Sequence, residues 1–105
     1  MEILDADAAA RVASVFWGLA DPTRIRIIHA LTASELNNSE LARLVGLSES
    51  AVSHQMRELR LLNIVRGERR GRTVVYSLDD DHVRHLFEDM VRHVGETARQ
   101  RAGSR

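Results

Sequence analysis

The stretch "SELARLVGLSESAVSHQMRELRLLNIVRGERRGRTVVYSL", residues 39–78, changes its period in the middle. Before Asn63 the apolar residues recur at helical spacing. After it they alternate at the ends of a glycine- and arginine-rich run. Asn37, with Glu40 three residues on, forms a plausible capping box that opens a short helix, "SELARLV". Gly46 stops that helix, and Ser48 caps the next, "ESAVSHQMRELRLL". "IVRGERRGRTVVYSL" then predicts a hairpin with β-prone arms and a long exposed tip. Two helices joined by a tight glycine turn and followed at once by a basic hairpin read as a winged helix-turn-helix.

Upstream, Ala8 to Ala20 is rich in helix formers, with Val12, Val15, Phe16 and Leu19 at apolar spacing. Asp21-Pro22 reads as an N-cap and a first-turn proline, opening a helix to about Leu31 that turns Ile25, Ile27 and Ile28 inward. Downstream, Asp79 to Asp81 supply caps and negative charge for a last helix, expected to end near Gly95 to Arg99 before a frayed "RQRAGSR" tail. The order is α-α-α-α-β-β-α: mainly α with a β-hairpin, one domain over residues 1–105.

Composition narrows the function. A chain of 105 residues has a small core and leaves apolar surface at its boundary, so self-association is expected. No run approaches the roughly 18 apolar residues of a membrane helix, and Met1-Glu2 is not a basic signal-peptide start, so the expected compartment is cytoplasmic. The absence of cysteine excludes disulfides and thiolate sites for soft metals or arsenite. The zero net charge is the sum of two opposed regions. Between His54 and Tyr76, six arginines face two glutamates, a balance of +4 that suits a polyanion. Residues 79 to 96 hold six carboxylates against two arginines, a balance of −4 that suits a cation.

On the helix after Gly46, about 100° per residue places Val52, Met56 and Leu59 on one face. Ser50, Ser53, His54 and Arg57 project from roughly the other. Short hydroxyls suit phosphates or base edges, and an arginine can pair two donors with guanine. In a helix-turn-helix the early residues of the second helix meet the bases, so Ser48, Ser50, Ser53, His54 and Arg57 are the candidate DNA contacts there. Arg69, Arg70 and Arg72 of the hairpin tip are the candidates for an adjacent backbone or minor groove.

"LADPTRIRIIHAL", "SELARLVGLSESAVSHQMRELRLLNIV" and "RRGRTVVYSL" together resemble the successive blocks of ArsR/SmtB-type winged-helix repressors, over residues from about 10 to 96. The resemblance implies a homodimer that represses a promoter and lets go when it binds a metal ion.

The last helix offers the ligands. Val83, Leu86, Phe87, Met90, Val91 and Val94 form one apolar stripe. His82 and His93 differ by only about 20° in direction and by about 16 Å along the axis, so one straight helix cannot bring both to one ion. Two antiparallel copies can. Residues that meet across a two-fold axis share a constant index sum; His82 with His93 gives 175 and Asp80 with Glu96 gives 176. Both pairs cross near Phe87–Glu88. Such a dimer builds two sites, each from Asp80 and His82 of one chain and His93 and Glu96 of the other. Asp79 and Asp81 are alternatives to Asp80, and His85 with Asp89, summing to 174, is a competing pair. The elements Asp-x-His and His-x-x-Glu are also those implied by similarity to the zinc-sensing subgroup with ligands on the C-terminal helix. "LNNSEL" lacks the thiol of relatives with a second type of site.

Two imidazoles and two carboxylates suit four-coordinate Zn(II) or Co(II). Nickel usually wants further ligands and finds no histidine in "MEILDADAAAR", so it fits less well. The expected mechanism is derepression: the metal-free dimer matches two half-sites of double-stranded operator DNA, and metal bridging spoils that spacing. Proton competition at His82 and His93 weakens sensing below roughly pH 6. The rival reading is a winged-helix regulator with no metal response. A zinc hydrolase has little behind it, with no H-E-x-x-H motif and no position left for substrate water.

Overall fold

The computed structural model describes residues 1–103. A side-chain oxygen caps the start of every helix, and this sets most of the element boundaries. Helix α1 (Ala6–Leu19) begins on Asp5, which accepts from Ala8 N at 2.8 Å, two residues earlier than composition alone indicates. Helix α2 (Pro22–Ala33) begins on Asp21, with Pro22 in its first turn. In α3 (Asn38–Val45) the expected capping box is complete: Asn37 and Glu40 each accept from the other's backbone N–H at 2.9 Å. Gly46 ends α3 at φ +72°, a left-handed conformation that glycine adopts without Cβ strain. Ser48 caps α4 (Glu49–Leu61) through Ala51 N.

The strands add one element. β2 (Val65–Arg70) and β3 (Thr73–Leu78) form the expected hairpin, and the two-residue β1 (Leu36–Asn37) joins β3's other edge to give the antiparallel order β1-β3-β2. β1 has no periodicity of its own; it exists because Leu36 and Asn37 find Tyr76 and Val75 opposite them. The hairpin tip is shorter than expected. Pairing continues through Arg69↔Val74 to Arg70↔Thr73, leaving only Gly71 and Arg72 as the turn. Gly71 at φ +65° makes this tight reversal possible.

The last helix, α5 (Asp81–Gly103), is also longer than expected and passes straight through Gly95. A glycine inside a helix costs about 1 kcal/mol relative to alanine but keeps its backbone hydrogen bond, and the good helix formers after it carry the helix on. The frayed tail expected from residue 99 is therefore helical as far as Gly103, while Ser104 and Arg105 lie outside the described residues.

Ile27, Ile28 and Leu31 of α2 pack with Leu41 of α3, Val52, Met56 and Leu59 of α4, and Tyr76 and Leu78 of β3. Burying each large aliphatic side chain is worth about 1.5–3 kcal/mol. This core docks the helix-turn-helix onto the sheet. Helix α5 attaches through Phe87, which is buried, and Val83, and Arg84 Nε donates to the Thr32 carbonyl at 3.2 Å. The apolar stripe expected as one surface is thus divided. Val83 and Phe87 face the chain's own core, while Leu86, Met90, Val91 and Val94 stay exposed.

Candidate DNA-reading face and metal-binding helix

Helix α4 presents the predicted face. Val52, Met56 and Leu59 are fully buried, and Ser50, Ser53, His54 and Arg57 are exposed on the other side. Ser48 uses its hydroxyl as the helix cap and lies 3.2 Å from Ser50 Oγ, so its side chain anchors the helix start. Ser53 donates to Asn38 Oδ1 at 3.2 Å, and Asn38 donates to the Glu49 carbonyl at 3.0 Å. Asn38 was not singled out from the sequence. It clips the two helices of the motif together across the Gly46 turn. His54 Nε2 sits 3.3 Å from Glu58 Oε1, whereas Arg57 makes no hydrogen bond or ion pair among the described residues and is free to meet a base or phosphate.

The wing divides its arginines. Strand alternation puts Arg66, Glu68 and Arg70 on one face of β2 and Arg69 on the other, with Arg72 in the turn. Arg69 and Arg72 are unpaired among the described residues and exposed. Arg70 is held: its guanidinium donates to both oxygens of Glu35, at 2.8 and 3.4 Å, and to Glu68 at 3.3 Å. That contact holds the Glu35 carboxyl below its usual range and pushes the Arg70 guanidinium up. Arg70, predicted as a DNA contact, is therefore already committed to two carboxylates. No sequence signal announces this, because Glu35 lies 35 residues away and reaches the wing only through β1.

The four predicted ligands lie along α5. Asp80 caps the helix with Oδ1, accepting from Val83 N at 3.0 Å, and its Oδ2 lies 3.7 Å from His82 Nδ1. That cap bond, with His82 nearby, holds the Asp80 carboxyl below its ordinary range. Of the neighbouring alternatives, Asp81 is engaged by Arg84 at 2.8 Å; Asp89, of the competing pair, is engaged by Arg92 at 3.1 Å. His82 has a 97% exposed side chain, and His93 and Glu96 are exposed further along the helix. Among the described residues, no group of three or more His, Cys, Asp or Glu within the one chain is placed to hold an ion. Asp80 comes together with His82, and the chain does not bring His93 and Glu96 to them.

Beside these residues runs an apolar groove of about 280 Å³ between α1 and α5, lined by Phe16, Leu19, Ala20, Ile25, Leu86, Phe87 and Met90. Val12, Phe16 and Trp17 of α1 are exposed along it or next to it in sequence, Trp17 at 85%. No helix is long and apolar enough to cross a membrane among the described residues.

A glycine-turned helix pair, an exposed polar reading face and a basic wing define a winged-helix DNA-binding protein. Comparison with known proteins agrees. Residues 21–66 match the family described as "Bacterial regulatory protein, arsR family". The chain is 47% identical over 90 residues to the HTH-type transcriptional regulator NmtR of Mycobacterium tuberculosis, covering 86% of this chain and 75% of that one. It is 44% identical to the transcriptional repressor SmtB homolog of Synechocystis, covering 91% and 73%. The solution structure of apo-NmtR superposes with a TM-score of 0.77 at 44% identity, over 91% of this chain and 81% of that one. This chain belongs to the arsR family. It is a DNA-binding transcriptional repressor of the metal-sensing ArsR/SmtB class, not an enzyme.

Proposed function

We propose that the metal-free homodimer holds its operator and that Zn(II), with Co(II) as a substitute, releases it. The ion is held between the two α5 helices by Asp80 and His82 of one chain and His93 and Glu96 of the other. The observation that supports this reading most is the Asp80–His82 pair. Its free Oδ2 and Nδ1 are 3.7 Å apart, close to the roughly 3.3 Å that separates two ligands on one tetrahedral ion with bonds of about 2.0–2.1 Å. Asp80 is ionised and has one oxygen to spare, while His82 is free to turn. The donor set has no sulfur and matches the chemistry of Zn(II) and Co(II) rather than a soft ion.

The other half of the shell must come from a second chain, because His93 lies about 16 Å along the same helix. The exposed Leu86, Met90, Val91 and Val94, with Phe16 and Trp17 of α1, form the apolar surface on which that chain would sit. Closing both half-sites ties the two α5 helices to one relative placement, and with them the spacing of the two α4 helices. The DNA contacts in this reading are Ser50, Ser53, His54 and Arg57 with Arg69 and Arg72, while Ser48 anchors the helix start and Arg70 is restrained by Glu35. By linkage, zinc and operator weaken one another by the same factor, typically about 5–150-fold. An anisotropy titration with labelled operator tests it: zinc lowers the affinity of the wild type and leaves that of His82→Ala unchanged. An operator affinity indifferent to zinc in the wild type would leave a metal-blind regulator as the reading.

A further inference from the structure

Three helices meet at one guanidinium. Arg24, in the first turn of α2, has a side chain only 16% exposed. Its backbone N–H is fixed by the Asp21 cap at 3.0 Å. Its Nη1 donates to the Gly18 carbonyl in the last turn of α1 at 2.7 Å, its Nε to Gln55 Oε1 at 2.5 Å, and its Nη2 to Glu58 Oε2. Gln55 and Glu58 are three residues apart on one flank of α4, between the buried stripe and the reading face. The second oxygen of Glu58 lies 3.3 Å from Nε2 of His54, a member of that face. At the far end of α4, Leu62 lies against Gly18, where an added Cβ would come within 2.3 Å of Leu62 Cδ1.

We propose that Arg24 is a positioning residue for DNA reading: it sets the roll of α4 about its own axis and ties that roll to α1. Val52, Met56 and Leu59 keep α4 docked, but apolar burial is non-directional and tolerates rotation. A planar guanidinium engaging two side chains of α4 does not, because its donors have fixed directions. The lever is large enough to matter. With a helix radius of about 5–6 Å including side chains, a roll of about 10° moves a reading side chain by about 1 Å. That is enough to break a base-edge hydrogen bond, which spans only about 2.7–3.2 Å. Contacts from the wing to phosphates, made by flexible arginines, survive such a roll. Arg24 therefore governs sequence discrimination more than affinity for DNA in general.

The test uses the full-length dimer and two probes: the duplex that the wild type selects from a randomised pool, and a shuffled duplex of equal composition. In Arg24→Lys one ammonium keeps the charge but cannot fork to all three acceptors. The expected result is about a tenfold loss on the selected duplex, the discrimination of one good base contact. The shuffled duplex is expected to bind as before, and the salt dependence of binding to stay the same, because Arg24 touches no phosphate. Equal losses on both duplexes would reduce Arg24 to a general stabiliser. A salt slope lower by about one per chain in the charge-removing Arg24→Gln would make it a phosphate contact; no loss on either duplex would remove its role altogether. Should Arg24→Lys fail to fold, Glu58→Gln decides: it keeps the side-chain shape and is expected to lower the selected-to-shuffled ratio in the same direction. An unchanged ratio there overturns the proposal.

Discussion

Mixing two inactive variants should restore zinc binding if the site is shared between chains. His82 and His93 lie about 16 Å apart on one continuous helix, so no chain can offer both to one ion. Asp80 stays with His82, its free oxygen 3.7 Å away. In a homodimer of His82→Ala, each site loses one of four donors, and the same holds for His93→Ala. If about 10–16 kcal/mol of binding is spread over four ligands, each is worth about 3 kcal/mol, a weakening of roughly 100-fold. In a mixed dimer the losses redistribute. One site lacks both histidines, and the other keeps His82 from the His93→Ala chain and His93 from the His82→Ala chain. Random re-pairing makes about half of the dimers mixed, so tight capacity returns to about a quarter of the wild type from nearly none. Competition against a chromophoric chelator reads the capacity, and cobalt absorption reports that the recovered sites are four-coordinate. No recovery after verified exchange would refute the reciprocal arrangement. Full capacity in either variant alone would remove that histidine from the ligand set.

Three further outcomes follow from contacts seen in the fold. Glu35→Gln combined with Glu68→Gln releases Arg70 from both carboxylates, so the freed guanidinium meets DNA phosphate: the salt slope of binding rises by about 0.9 per chain, and low-salt affinity with it; an unchanged slope refutes the clamp. Because Arg70 lowers the Glu35 pKa, the pair is intact above the ordinary glutamate range and lost only as pH falls through that lowered value, so the wild-type slope should hold down to about pH 5. Asn37→Ala removes the acceptor for Glu40 N and half of the capping box, costing about 1 kcal/mol; a urea midpoint that moves with an unchanged m-value checks it.

The sequence by itself determined the elements whose causes are local. Asp21 before Pro22, Asn37 with Glu40, Gly46 and Ser48 act within three or four residues, and the helices start and stop where those residues place them. The buried face of α4 and the order of elements were legible for the same reason, since helical period relates neighbours on one chain. The tertiary structure decided what depends on distant partners. β1 is a strand only because β3 lies beside it, and the wing turns after two residues because the ladder runs on to Arg70. The apolar residues of α5 separate into an inner and an outer set only once α2 and β3 occupy one side of that helix. Arg70 looked like a free cation, and nothing in the neighbouring sequence marked Arg24. Glu35 and Glu58, 35 and 34 residues away, changed both, because an ion pair depends on distance in space and spacing along a chain carries no record of it.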